Sequence, residues 1–457
     1  MTKKVLLISV EFPPRKMGNV RFVKFARYLL ELGWQVYVLT VSERSIWEFD
    51  RSVEIPSGTK VYRAFRPNPF VFLDRRWHEK DNLRTKENLG HKESLPAAKA
   101  FPSPLERFKK AATQIITQFR RYFFIPTEEI MWLPFAVIKG TYLCFKEKVD
   151  LIYSTAPDFT NHLVAGLISL LTGKKWVAEY RNFWTDNPTR PHRTRWHKVI
   201  EEGLDWWVLK RSTAIVVIAE AMKEALLERR SFLCPERIIS IDNGYDRPEF
   251  DSLSAPPIES RQFLISYTGA LYADYPTPAF LVALGELFQE DPKMKQTCRV
   301  DFCGMVKDQQ KREVTKIIRQ FGLGDNVRFL GEVPRPEALR LLLKSDLLLL
   351  LFIVRGNLPN LETVVPGKVF DYIAARKPIL AIVPQGMTTD IIREGRLGIA
   401  VNTDEVSRIK DALRSLYQEH TEGGIKLEPD WDYLERFDRS FLTQRLSDFF
   451  EEVLERT

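Results

Sequence analysis

Twice along this chain, strand-sized apolar runs alternate with segments of helical periodicity, and a proline-bearing polar stretch separates the two series. The first series comprises Val5–Val10, Gln35–Val41, Asp150–Thr155, Lys175–Tyr180, Ala214–Ile218 and Ile238–Ile241. Helical patterns such as Phe159–Leu171, Trp196–Arg211 and Glu220–Arg229 lie between them. The second comprises Phe263–Gly269, Val300–Gly304, Val327–Leu330, Leu347–Phe352, Ile379–Val383 and Gly398–Val401. Strands separated by helices build doubly wound parallel sheets, so the chain is predicted to be α/β, with two tandem doubly wound Rossmann-like domains. Residues 1–246 form the first domain and residues 263–430 the second. Residues 247–262, with Pro248, Pro256 and Pro257, form the linker, and a ligand cleft is expected between the domains. A length of 457 residues with 44% hydrophobic content supplies two cores.

Residues 66–130 interrupt the alternation. Net charge is +8, and residues 75–125 hold 12 Lys/Arg against 5 Asp/Glu, so that segment carries nearly all of the excess. This argues against a broad nucleic-acid footprint and for one local basic surface. Within Leu105–Phe124, residues Leu105, Phe108, Ala112, Ile115, Phe119, Tyr122 and Phe123 recur at helical spacing, with Lys109, Lys110, Arg120 and Arg121 among them. Such a helix either lies on an anionic membrane surface or packs its stripe on its own domain.

Cys144, Cys234, Cys298 and Cys303 form no CxxC pattern, and Cys298 and Cys303 face opposite sides of one strand. No metal is expected, and a reduced, cytoplasmic protein is the simplest reading. Val5–Val10 is too short for a signal sequence, and no run approaches the roughly 20 apolar residues that span a bilayer.

Two stretches carry chemistry. In Val365–Ala381, Pro366-Gly367 feeds a short helical pattern. A helix N-terminus presents unpaired amides that suit an anion such as a pyrophosphate, and Lys368 adds a full charge. Asp371, one turn on, suits two neighbouring sugar hydroxyls; the alternative is an ordinary helix that happens to carry both residues. Near the N-terminus, the loop holding Gly18 leaves the carboxyl end of the first strand, where parallel sheets bind ligands. Gly18 either admits close backbone approach or is a plain turn residue.

Several segments together resemble family 4 glycosyltransferases of the GT-B fold. They are Glu11-Phe-Pro-Pro with Gly18, Trp176 to Pro188, Asp242-Asn-Gly-Tyr-Asp246, Tyr267-Thr-Gly-Ala-Leu271, Arg328 to Pro334, and Val365–Ala381, in that order across nearly the whole chain. The resemblance implies a retaining, metal-independent transferase that needs no cofactor and takes a sugar from a nucleoside-diphosphate sugar. The first domain would bind the acceptor and the second the donor. A helix within residues 431–457 would cross back to the first domain.

By the same resemblance, Gly18 and Asn19 approach the donor, and Gly269 opens a second phosphate-facing loop. Gly331 to Val333 border the base, Gly367 and Lys368 hold the pyrophosphate, and Asp371 is the ribose-binding acid. Many members carry two glutamates eight positions apart. Here Asp371 fills the second place, while the first falls on Thr363, beside Glu362. Ala270 to Asp274 follow Gly269 where many members have an Arg and a Lys, so Lys368, helped by Arg355, would supply that charge. Arg181 and Asn182 occupy the catalytic stretch. Asn182 cannot act as a base, so front-face attack would be assisted by the donor's own phosphate oxygen. Arg181 either orients substrate or forms an ion pair.

His162 lies on an apolar helix and reads as a satisfied core or cleft residue, and Trp206-Trp207 reads as packing. No Walker A loop or Ser-His-Asp order stands out. The expected activity is transfer of a sugar to a lipid-linked or other cell-envelope glycan, at the inner face of a membrane and without nucleic acid. A catalytically silent nucleotide-sugar-binding scaffold and a sugar-nucleotide epimerase are the rivals.

Overall fold

The computed structural model describes residues 2–15, 20–46, 48–67, 116, 118, 120, 122–185, 194–253, 262–354, 362 and 364–456. Gly18, Asn19, Arg355 and Thr363 lie outside the described residues, as do 254–261 of the linker and most of the 66–130 segment with its Leu105–Phe124 helix. The chain divides into two units, one of Met1–Ile241 with Leu446–Thr457 and one of Asp242–Arg445.

The first unit holds β1 (Lys4–Ile8), β2 (Gln35–Val41), β3 (Lys60–Ala64), β4 (Leu151–Ala156), β5 (Lys175–Tyr180), β6 (Ala214–Val217) and β7 (Ile238–Ser240). They form one parallel sheet in the order β3-β2-β1-β4-β5-β6-β7. Val5 pairs with Val36 on one side and Leu151 on the other, so β1 lies inside the sheet. Continuous apolar sequence there is what burial on both faces demands. Strand order reverses between β1 and β4, and the loops leaving those two strands therefore flank the natural ligand crevice. Lys60–Ala64 and the helix Leu133–Lys146 are elements the sequence reading did not anticipate.

The second unit holds β8 (Phe263–Thr268), β9 (Cys298–Cys303), β10 (Val327–Gly331), β11 (Leu347–Leu351), β12 (Ile379–Ile382) and β13 (Gly398–Val401). Their order is β10-β9-β8-β11-β12-β13, again parallel. β11 is five consecutive leucines. Leu347, Leu349 and Leu351 enter one core cluster and Leu348 and Leu350 the other, the period-two alternation of a strand buried on both faces. Strand order reverses here between β8 and β11, so the loops after Thr268 and Leu351 flank the second crevice.

The stretch Asp242 to Asp246 pairs with the segment before the last helix. Tyr245 N donates to Phe437 O at 3.0 Å and Arg439 N to Tyr245 O at 2.9 Å. Gly244 is required there, because a Cβ would stand 2.3 Å from Phe437 O. Among the described residues, no helix is long and apolar enough to cross a membrane.

Candidate functional site

The crevice of the second unit is floored by glycine. Gly269 follows β8 with φ +116° and Gly304 follows β9 with φ +138°. A Cβ on Gly304 would sit 2.2 Å from Gly269 O, and Gly269 N donates to Cys303 O at 2.8 Å. The two loops touch backbone to backbone, leaving Gly269 open above.

Lys368 reaches that opening. A Cβ on Gly269 would lie 3.2 Å from its Nζ. The ammonium donates to the Tyr267 hydroxyl and stands 4.0 Å and 5.5 Å from the ring centroids of Tyr267 and Tyr275. No carboxylate pairs with it among the described residues, and burial pushes its pKa down to about 7. Lys368 opens the helix Lys368–Ala375, preceded by Gly367 at φ −57° and ψ −25°. Among the described residues, neither the Gly367 nor the Lys368 amide donates to a backbone carbonyl, whereas Val369 N reaches Pro366 O at 3.0 Å. Two amides and an ammonium with no partner of that kind among the described residues are the elements of an anion site.

Asp371 is on the same helix, but its carboxylate already has a partner. Arg335 Nη2 donates to Asp371 Oδ1 at 2.8 Å and Nη1 to Oδ2 at 3.3 Å. The other edge of the guanidinium grips Glu249 at 2.7 and 3.0 Å. Burial alone would lower the Arg335 pKa, but the two acids raise it well above the usual arginine value. All three side chains remain about a quarter exposed, so each Asp371 oxygen keeps capacity for a further donor. Sequence reading had assigned Asp371 alone, and Val333, assigned to the base, is half-buried near the start of the helix that carries Arg335.

At the first unit's crevice the structure gathers charges from distant segments. Arg15, after β1, donates to Glu129 Oε1 at 3.0 Å, and Arg66 approaches Glu129 Oε2 at 2.8 Å. Asp158, after β4, accepts from Thr160 N at 2.7 Å and from the Thr127 hydroxyl. Burial, then the charge of Glu129, raises the Asp158 pKa. Arg181 leans on the β4 loop, donating to Ala156 O at 3.1 Å and Pro157 O at 2.9 Å, with Glu11 at 3.5 Å. Its guanidinium thus braces a crevice loop, and Asn182 beside it is exposed.

Arg15, Arg66, Glu129 and Asp158 were not singled out from sequence; only the position of Asp158 directly after a strand hinted at it. Beneath them His162 is fully buried, with Nδ1 2.8 Å from Ser154 Oγ, and burial lowers its pKa to about 3. A neutral core imidazole fits that setting. Among the described residues, no group of three or more His, Cys, Asp or Glu side chains is placed to hold a metal ion.

Two tandem doubly wound units with these strand orders define the GT-B fold, and solved structures share it. Anabaena Alr3699/HepE in complex with UDP aligns over 99% of this chain and 100% of its own, with 13% identity and a TM-score of 0.58. Sucrose-phosphate synthase from Thermosynechococcus elongatus aligns over 99% of each chain, with 14% identity and a TM-score of 0.60. The lipopolysaccharide outer core galactosyltransferase WaaB in its apo form covers 98% of this chain and 99% of its own, at 12% identity and 0.52. Residues 257–428 match the family model described as glycosyl transferases group 1. No curated protein sequence matches the chain.

Proposed function

We propose that the chain is a family 4 glycosyltransferase that moves a sugar, of hexosyl type, from a nucleoside-diphosphate sugar to a lipid-linked or other cell-envelope glycan acceptor. The observation that carries the donor half is Lys368, held above the Gly269 loop with no acid partner among the described residues, beside the Gly367 and Lys368 amides at the helix start. These groups fit a pyrophosphate, where negative charge grows as the glycosidic bond breaks. Asp371 accepts the ribose diol and Val333 borders the base; Gly18, Asn19 and Arg355 complete the donor contacts. The match of residues 257–428 to glycosyl transferases group 1, and the UDP and UDP-glucose complexes of Alr3699/HepE, support a nucleotide sugar as ligand.

Asn182 is an exposed amide and cannot take a proton. As the resemblance to family 4 implies, transfer proceeds with retention, the leaving phosphate oxygen accepting the acceptor's proton on the same face without a base at Asn182, and no metal is required. Arg181 orients the loops at the acceptor crevice. The enzyme works at the cytoplasmic face of the inner membrane, and the basic segment 75–125 contributes to the approach of a lipid-linked acceptor. Asn182 also favours one rival, a silent scaffold that binds donor without turnover.

The test is thermal stabilisation by UDP, GDP, ADP and CMP for wild type and Lys368→Ala, followed by donor turnover. A ligand at 100 times its dissociation constant adds about 2.7 kcal/mol, a shift of a few degrees. One nucleotide should stabilise the wild type alone. If none does while the protein is folded, the donor-site reading falls; stabilisation without turnover on any glycan or lipid-linked acceptor selects the scaffold.

A further inference from the structure

The helix Arg195–Arg211 buries Val208 and Leu209, yet carries a second apolar stripe that faces outward. At 100° per residue, Trp196, Val199, Ile200, Gly203, Trp206 and Lys210 share one stripe, and His197, Glu201 and Asp205 fall on the other side. Over most of its length burial runs against the usual order: Trp196 is 77% exposed, with Val199, Ile200 and Trp206 also exposed, while Glu201 and Asp205 are 5% and 4% exposed. The inward polar groups are well placed. His197 Nε2 lies 3.1 Å from Tyr122 O, and Asp205 accepts from the Tyr180 hydroxyl at 2.9 Å with Arg230 at 3.4 Å. Those bonds fix the helix in this orientation, so the apolar stripe faces outward by construction.

Two neighbouring helices continue the surface. Leu133–Lys146 buries Ala136, Gly140, Leu143 and Cys144 and exposes Phe135, Ile138, Tyr142 and Phe145. Thr160–Thr172 lies between the other two and ends in exposed Leu170 and Leu171. Gly140 seats Ile168, since a Cβ there would be 2.3 Å from Ile168 Cδ1, and Gly166 seats the Trp207 ring in the same way at 2.6 Å. The three helices lead into β4, β5 and β6, and right-handed crossovers place them on one face of the sheet.

The charge of this face is mainly positive. Leu133–Lys146 and Thr160–Thr172 contain no Asp or Glu. Lys146 stands 5.5 Å over the Tyr142 ring and Lys210 4.6 Å over Trp206, and Arg195, Lys198 and Arg211 are exposed. Glu202 is the acid on the outer side of Arg195–Arg211, and it faces Lys198 at 3.6 Å. Exposed aromatic and aliphatic side chains interleaved with lysines match the interface of an anionic bilayer. A second copy of the same face would bring lysines against lysines.

We infer that the outer face of these three helices is a docking surface for an anionic lipid bilayer, on which the first unit rests without crossing it. The surface is distinct from the donor site, and its test uses no sugar transfer.

The test is co-sedimentation of the full chain with phosphatidylcholine vesicles, with and without one quarter phosphatidylglycerol. Binding should need the anionic lipid and weaken with salt. Trp196→Ser/Ile200→Ser/Phe145→Ser should lower partitioning at least tenfold, and each of Lys146→Gln, Lys198→Gln and Lys210→Gln by about fivefold. Far-UV circular dichroism and melting temperature verify that each variant is folded; should the triple variant not fold, the single lysine variants decide alone. Vesicle binding that is absent in the wild type, or unchanged in the folded variants, overturns the inference. So does a wild-type dimer in light scattering that the same substitutions make monomeric, which would assign the face to a protein partner.

Discussion

An ammonium held among tyrosines, with no carboxylate paired to it among the described residues, ties anion binding to pH. Burial lowers the Lys368 pKa from its ordinary 10.5 to about 7. A pyrophosphate alongside would favour the charged form and draw the pKa back up, so donor binding should take up a proton above neutral pH. If only the protonated site binds, affinity scales with the protonated fraction. Relative to pH 6, the dissociation constant should rise about 10-fold at pH 8 and about 100-fold at pH 9, with each tenfold step about 1.4 kcal/mol.

The assay is isothermal titration calorimetry of an intact nucleoside-diphosphate sugar, whose diphosphate has no proton to lose in this range, in buffers of different ionisation enthalpy. Proton uptake should approach one per site at pH 8 and vanish at pH 6. Lys368→Met should bind weakly with no pH dependence. Constant wild-type affinity from pH 6 to 9, with Lys368→Met still impaired, would refute the linkage. The stability of the free chain moves the opposite way with pH, from the same lowered pKa. Between about 7 and 10.5 the unfolded chain binds more protons at this position than the folded one, so ligand-free stability rises with pH across that window. Below it, Lys368→Met should raise the melting temperature while removing the ligand's effect.

Arg335→Gln leaves Glu249 and Asp371 facing each other without their cation and should cost about 1–3 kcal/mol in urea unfolding, less than a fully buried pair because the triad is partly exposed. Asp371→Asn should abolish discrimination between ribo- and 2′-deoxyribonucleoside diphosphates in competition binding while leaving inorganic pyrophosphate affinity within about twofold, since pyrophosphate is assigned to Lys368. Gly304→Ala forces a Cβ to 2.2 Å from Gly269 O at φ +138°, so it should destabilise by about 2 kcal/mol or more and weaken nucleotide binding through the displaced Gly269 loop. EDTA should leave donor turnover unchanged; an absolute need for a divalent cation would overturn the metal-independent mechanism.

The parallel sheets were legible because their strands are buried on both faces, which writes itself into sequence as continuous apolar runs such as Leu347–Leu351. Lys60–Ala64 escaped notice because it is an edge strand, short and only partly buried. Lys368 could be read from one turn of helix beside Pro-Gly. Its tyrosine setting could not, since Tyr267 lies 101 residues away. The same holds for Arg335 and Glu249, 86 residues apart, and for Arg15 and Glu129, 114 apart. Trp206-Trp207 reads as packing in the sequence; Trp207 packs on Gly166, while Trp206 meets Phe232 edge-on and keeps an exposed side under Lys210. Periodicity locates an apolar stripe but not its direction. The direction is set by the distant partners of His197 and Asp205.

The two crevices differ in charge, and that difference bears on which ligand each receives. After β8 the second unit offers a cation without an acid, open amides and glycine, all of which favour an anion over a neutral ligand. After β1 and β4 the described residues of the first unit offer Arg15, Arg66 and Arg181 matched by Glu11, Glu129 and Asp158, with those three cations already bonded to carboxylates or carbonyls. An anion arriving there would have to break those pairs, at the cost of uncovering buried carboxylates. A polyhydroxylated neutral ligand would not, because hydroxyls can both donate to the carboxylates and accept from the guanidinium edges. A diphosphate at Lys368 and sugar hydroxyls at the first crevice is therefore the division that leaves fewest of these charges without a partner, which is the physical ground for the proposed assignment of the donor to the second unit and the acceptor to the first.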